Sequence, residues 1–353
     1  MFPPRSIRCV TSSPRSICFS HWARRLLVCQ RMAGSIREGL PSPIEVADVP
    51  PSSVAQPAVT PPRVDPWCRA IAWGAMLGAS LLPTILSRSA GEEGYSVPVA
   101  QVLVLVLASL IVGRSSRLRV LSGFLLTLAV LRLGWSVIAP IVADWGPVYG
   151  LMDGLDWGPK MFVIRLLNVT GALLMLTTFV GRRITRDDLF LRIGYLNAPV
   201  KPERILWFRS PLRWWHLGPL IVLIFALAMI AFLFSNLRPN FWQLTQHWQL
   251  LPWAVATAAL NAANEEFQFR CVPLAHLRNV LPLREGVWLT AIFFGLAHYF
   301  GQPSGWLGVA MAAIAGFIWG KSMVETRGAG WAFGIHFVQD LVIFYFLAMS
   351  FKP

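Results

Sequence analysis

The stretch NEEFQFR (Asn264–Arg270) sets two adjacent carboxylates and an arginine inside the apolar run WAVATAALNAANEEFQFRCVPL (Trp253–Leu274). An apolar run of this length reads as a membrane helix, and carboxylates within one are a functional site by default. A charge at the centre of such a helix costs about 2.5–3.5 kcal/mol on insertion scales. Glu265 and Glu266 therefore need partners from neighbouring helices.

The rest of the chain agrees with a membrane setting. Of 353 residues, 55% are hydrophobic and only 14% charged, too little polar material to coat a soluble globule of this size. Apolar runs near 67–87, 97–113, 118–142, 161–180, 216–235, 249–275, 285–300, 305–322 and 329–349 predict an all-α fold. It would be a polytopic transmembrane helical bundle of eight or nine membrane helices, an integral, multi-pass protein whose first partner is the lipid bilayer. The alternating pattern of a membrane β-barrel is missing. A net charge of +14 would suggest nucleic acid in a soluble protein. Here the basic residues fall in the N-terminal tail and between spans, so no nucleic-acid partner is expected. The basic segments RSSRLR (114–119) and 181–213 predict cytoplasmic loops, which puts the N-terminus inside and the C-terminus outside; in a bacterium the membrane would be the plasma, or inner, membrane. Five dispersed cysteines, Cys9, Cys18, Cys29, Cys68 and Cys271, form no CxxC pair, so neither a disulfide framework nor a thiolate zinc site is implied.

Three regions follow. Residues 1–66 are Arg/Ser-rich and then Pro-rich, the composition of a disordered tail. Residues 67–244 supply N-terminal membrane helices, and residues 245–349 carry the chemistry. Within the latter, Asn261, Asn264, Glu265 and Gln268 share one helical face, while Glu266 is four residues from Arg270, the spacing of a carboxylate–guanidinium pair. Glu265 is thus left as the free carboxylate. The next span, WLTAIFFGLAHYFG, brings His298, and the last, WAFGIHFVQDLVIFYF, brings His336 with Asp340 one turn later. At about 1.5 Å per residue, Glu265, His298 and Asp340 fall at a common depth, with His336 one turn nearer the cytoplasm.

A carboxylate facing two imidazoles can deprotonate a water that attacks a carbonyl, with histidine stabilising the oxyanion. Equally, Glu265, His298 and His336 could bind Zn²⁺ and leave a fourth position to water. There is no HExxH and no Ser or Cys in a nucleophile setting. Two non-peptidase readings use the same residues: a scaffold or immunity protein whose polar cluster holds helices together, and an ion-coupled transporter in which Arg132 and Asn168 join a relay.

At EEFQFR (265–270), FGLAH (294–298) and HFVQD (336–340) the chain resembles the type II CAAX prenyl endopeptidases and their bacterial relatives, the CPBP or Abi intramembrane proteases. Their pattern is EExxxR, FxxxH and HxxxN or HxxxD. The resemblance covers about the final third of the chain. It implies that Glu265 activates water, that His298 and His336 position it or stabilise the oxyanion, and that Asp340 assists the last histidine. It further implies a membrane-anchored peptide or protein substrate, prenylated in the eukaryotic members. Cys271 follows Arg270 where glycine is common in the family.

Overall fold

The computed structural model describes residues 65–91, 94–181, 184–203, 212–238, 242 and 246–350. The tail expected over 1–66 falls outside these, apart from Asp65 and Pro66. Among the described residues there is no strand, only an isolated bridge between Pro199 and Arg213.

The chain enters its first helix at a defined cap. The Asp65 side chain accepts from the Trp67 N–H at 2.9 Å, and Pro66 takes the first helical position, where a missing N–H costs nothing. That helix, α1 (Pro66–Ala79), bends by 51° into α2 (Leu82–Ser89). Gln101 of α3 (Ser96–Gly113) donates to two carbonyls at the bend, Gly78 O at 2.6 Å and Ser80 O at 2.9 Å. Then come α4 (Ser122–Leu133), which continues through a π-turn into α5 (Ala139–Asp144), the short α6 (Gly146–Asp153), α7 (Trp157–Thr177) and α8 (Trp214–Leu237).

The last third is α9 (Leu251–Glu266), a π-turn over Phe267–Cys271, α10 (Val272–Leu277), α11 (Leu283–Ala297), α12 (Gly305–Thr326) and α13 (Gly330–Ser350). Helix α13 is the hub, packed against α8, α9 and α12, while α11 lies along α12 and α7 backs α9. A basic segment before α8 clamps the α12–α13 turn. Ala329 N–H reaches Arg192 O at 2.8 Å, Gly330 N–H reaches Ile193 O at 3.1 Å, and Tyr195 N–H reaches Thr326 O at 2.7 Å. Gly194, at φ +81°, passes so close that a Cβ there would lie 2.6 Å from Thr326 O and 2.9 Å from Gly328 Cα, which no other residue could tolerate.

Among the described residues six helices are long and apolar enough to cross a membrane, Ser96–Gly113, Arg119–Asp144, Trp157–Thr177, Trp214–Leu237, Gly305–Thr326 and Gly330–Met349, or seven if the bent α1–α2 pair is one span. The expected eight or nine is therefore not confirmed among these residues, and the difference falls on the helices that carry Glu265 and His298. Helix α11 has 15 residues, about 22 Å at 1.5 Å each and short of a roughly 30 Å core. Helix α9 has 16 residues and runs into three charges at Glu265, Glu266 and Arg270. Both are held inside by other helices instead of being stabilised by lipid.

Candidate active site

The acidic pair stands at the C-terminal end of α9, where the helix widens into its π-turn, a distortion often found at functional sites. Glu266 and Arg270 are 2% and 0% exposed, and Arg270 Nη1 donates to Glu266 Oε1 at 2.5 Å. The guanidinium is also covered by rings, 4.2 Å from the Phe294 centroid and 4.8 Å from that of Trp319, and its Nε donates to Gly316 O at 3.3 Å. Gly316 makes room for it: a Cβ there would stand 3.0 Å from Arg270 Nη2 and 3.2 Å from Phe294. A buried charge held by a carboxylate, a carbonyl and two aromatic faces is largely compensated.

His336 of α13 joins the two glutamates. Its Nδ1 lies 2.8 Å from Glu266 Oε1, and its Nε2 lies 3.5 Å from both Glu265 Oε2 and Asp340 Oδ2. The Trp319 indole stacks on the ring at 4.2 Å and 18°, fixing its plane. Asp340 in turn accepts from Asn261 Nδ2 at 2.9 Å. His298 ends α11, half-buried, with Nδ1 2.9 Å from Phe294 O and Nε2 4.0 Å from Glu265 Oε2. A carbonyl only accepts, so the proton of neutral His298 sits on Nδ1 and its Nε2 lone pair faces Glu265. By the same reasoning, His336 donates from Nδ1 to the Glu266 carboxylate.

The six residues picked from the sequence, Glu265, Glu266, Arg270, His298, His336 and Asp340, thus meet in one cluster. Gln268 and Asn264, placed with Glu265 on one face, leave it. Gln268 Nε2 donates to Asn264 Oδ1 at 2.8 Å and to Asn168 O on α7 at 3.0 Å. Phe294 opens the FGLAH motif, whereas Trp319, 17 residues before His336, carries no signal in the sequence that would place it at the site.

Glu265 is 4% exposed and its Oε2 has no hydrogen-bond partner. A water about 2.8 Å from this oxygen and from both Nε2 atoms would fit the 3.5 and 4.0 Å separations. The zinc alternative fits less well. Ligand atoms around tetrahedral Zn²⁺ lie about 3.4 Å apart, which suits Glu265 with His336 but not with His298. Among the described residues no group of three His, Cys, Asp or Glu side chains is arranged to hold a metal ion.

In front of the cluster is a cavity of about 230 Å³ whose inner wall includes His298, His336 and Asp340. Its outer wall is apolar, with Phe225 and Met229 of α8 and Met311 and Ala312 of α12. Ile224 and Ile314 edge the mouth and are 52% and 50% exposed on the outer surface of those helices.

A family model described as type II CAAX prenyl endopeptidase Rce1-like matches residues 247–342, the stretch that holds all six clustered residues. The match supports the resemblance drawn from the three motifs. No curated protein and no solved structure matches the chain.

Proposed function

We propose that the chain is an intramembrane endopeptidase in which Glu265 activates a water against a peptide carbonyl. The observation that carries this reading is the unpartnered, buried Glu265 Oε2 facing two imidazole Nε2 atoms behind an apolar cavity. In the proposed step the water gives a proton to Glu265 and its oxygen bonds to the carbonyl carbon. An imidazole that has taken a second proton from solvent beforehand, and keeps it through the step, donates from Nε2 to the oxyanion. The C–N bond then breaks and the proton passes from Glu265 to the leaving amine. Asp340 and Glu266 act through His336, whose two nitrogens they face, and Arg270 acts through Glu266. The gap between α8 and α12 suits a substrate whose anchor is apolar, such as a lipidated or membrane-embedded peptide, because Ile224, Phe225, Met229, Met311 and Ile314 line it with hydrocarbon and thioether surface.

The test is cleavage of a membrane-anchored peptide library by purified wild type, Glu265→Gln and His298→Ala, with and without chelator. We expect Glu265→Gln to lower the rate by about 10²–10⁴-fold with its melting temperature kept, and chelator to have no effect. Equal product from wild type and both variants would end the peptidase reading. Activity lost to chelator and restored by Zn²⁺ would replace the carboxylate route with a metal.

A further inference from the structure

One polar side chain on the cavity wall has no place in the cluster. Gln339 of α13 lines the cavity together with His298, His336 and Asp340. Each of those three is held by a hydrogen bond, to Phe294 O, Glu266 and Asn261 respectively. Among the described residues Gln339 makes no side-chain hydrogen bond, although the residue is partly buried and its Oε1 is inaccessible. Helix α8 closes the cavity with Ile224, Phe225, Ala228 and Met229, and the next turn of α13 adds Ile343; none of these offers an amide a partner. A buried carboxamide left unpaired costs about 1–3 kcal/mol, a cost that leucine at this position would not carry.

A ligand that brings both a donor and an acceptor removes that cost. The peptidase reading, on which this inference rests, supplies one. In an extended peptide the N–H and C=O of one residue point the same way, and a carboxamide matches that pair. Gln339 is three residues from His336 on α13, which puts their Cβ atoms about 5–6 Å apart. An extended chain advances about 3.3 Å per residue. A peptide with its reacting carbonyl at the histidines therefore carries a neighbouring residue, one or two places along, past Gln339.

We propose that Gln339 is a substrate-binding residue. Its Oε1 accepts the N–H, and its Nε2 donates to the C=O, of a backbone residue one or two places from the bond that is cut. The apolar walls hold the anchor while Gln339 grips the main chain, so the cavity takes its peptide in extended form. Gln339 makes no hydrogen bond to the six clustered residues, and it sets the affinity and register of the peptide instead of moving a proton.

The experiment uses the full chain in lipid nanodiscs and reads binding apart from turnover. Membrane-anchored peptides retained from a library by Glu265→Gln are ranked by affinity, whether or not wild type cuts them. In the tightest of them each backbone amide in turn is replaced by an ester, which removes one N–H. One ester position should weaken binding to Glu265→Gln about tenfold. Adding Gln339→Leu should weaken the parent peptide by a similar factor and abolish the penalty of that ester alone. Without peptide, the thermal midpoint of Gln339→Leu should stay level or rise, because an unpaired amide has gone. No retained peptide, an ester profile unchanged by Gln339→Leu, or a midpoint several degrees lower would each overturn the proposal. Peptides bound in the expected pattern but never cut by wild type would sink the peptidase reading and leave the backbone contact standing.

Discussion

A single oxygen atom links the local and the long-range parts of the site: Glu266 Oε1 receives both Arg270 Nη1 and His336 Nδ1. The first link is four residues long and is legible from spacing alone. The second joins positions 70 apart and depends on how α9 and α13 pack, which no local pattern encodes. For the same reason the sequence names Asp340 and Asn261 as polar residues of two spans without revealing that they bond to each other. Removing Arg270 would strand a buried carboxylate. Arg270→Met should therefore destabilise by about 3–5 kcal/mol, and Glu266→Gln by a comparable amount, while the double variant loses much less than the sum. Denaturant unfolding of the four proteins in detergent measures the coupling, and additive losses would show that the pair is not a unit.

Packing between helices decides whether His298 reaches Glu265. At the crossing of α11 and α12, Gly295 has no space for a side chain: a Cβ would sit 2.6 Å from Val309 O and 2.8 Å from Ala313 Cβ. Gly295→Val should force the two helices apart, lower the melting temperature by several degrees and reduce cleavage at least tenfold, since about 1 Å of misplacement can cost that much or more. An unaltered rate would mean that His298 needs no such fit. The polar motifs of α9, α11 and α13 were legible because charge and histidine are conspicuous in hydrocarbon-like sequence. The number of crossings was less so, because hydropathy reports apolar content and not what surrounds a helix. Helices α9 and α11 are apolar enough to look like spans, yet one ends in two carboxylates and the other is too short.

Across the whole molecule, the segments between helices are tied down by charge. Asp188 takes a hydrogen bond from the Thr185 N–H at 2.9 Å and pairs with Arg278, and these partners hold its carboxyl down to about 2. A carboxyl lowered on folding contributes stability above its unfolded value of about 3.9 and loses it as pH falls through about 2. Asp188→Asn should remove that part of the acid sensitivity, so that its melting temperature falls less than wild type's between pH 5 and pH 2; identical slopes would assign the pair no role. The pair is exposed, so the difference should be small and shrink in high salt.

The clamp over the α12–α13 turn carries a practical consequence. Arg192 and Ile193 are bonded to Ala329 and Gly330, only two helical turns upstream of His336, so the ring's position is referenced to an outside strap of chain. Anything that grips this strap, such as an antibody fragment, a proteolytic nick at Arg192 or a bulky maleimide on Ile193→Cys, should silence turnover from the aqueous side without entering the membrane. Label-resistant turnover in Ile193→Cys would show that the histidine helix keeps its own alignment. An inhibitor built on that principle would have no need to be greasy.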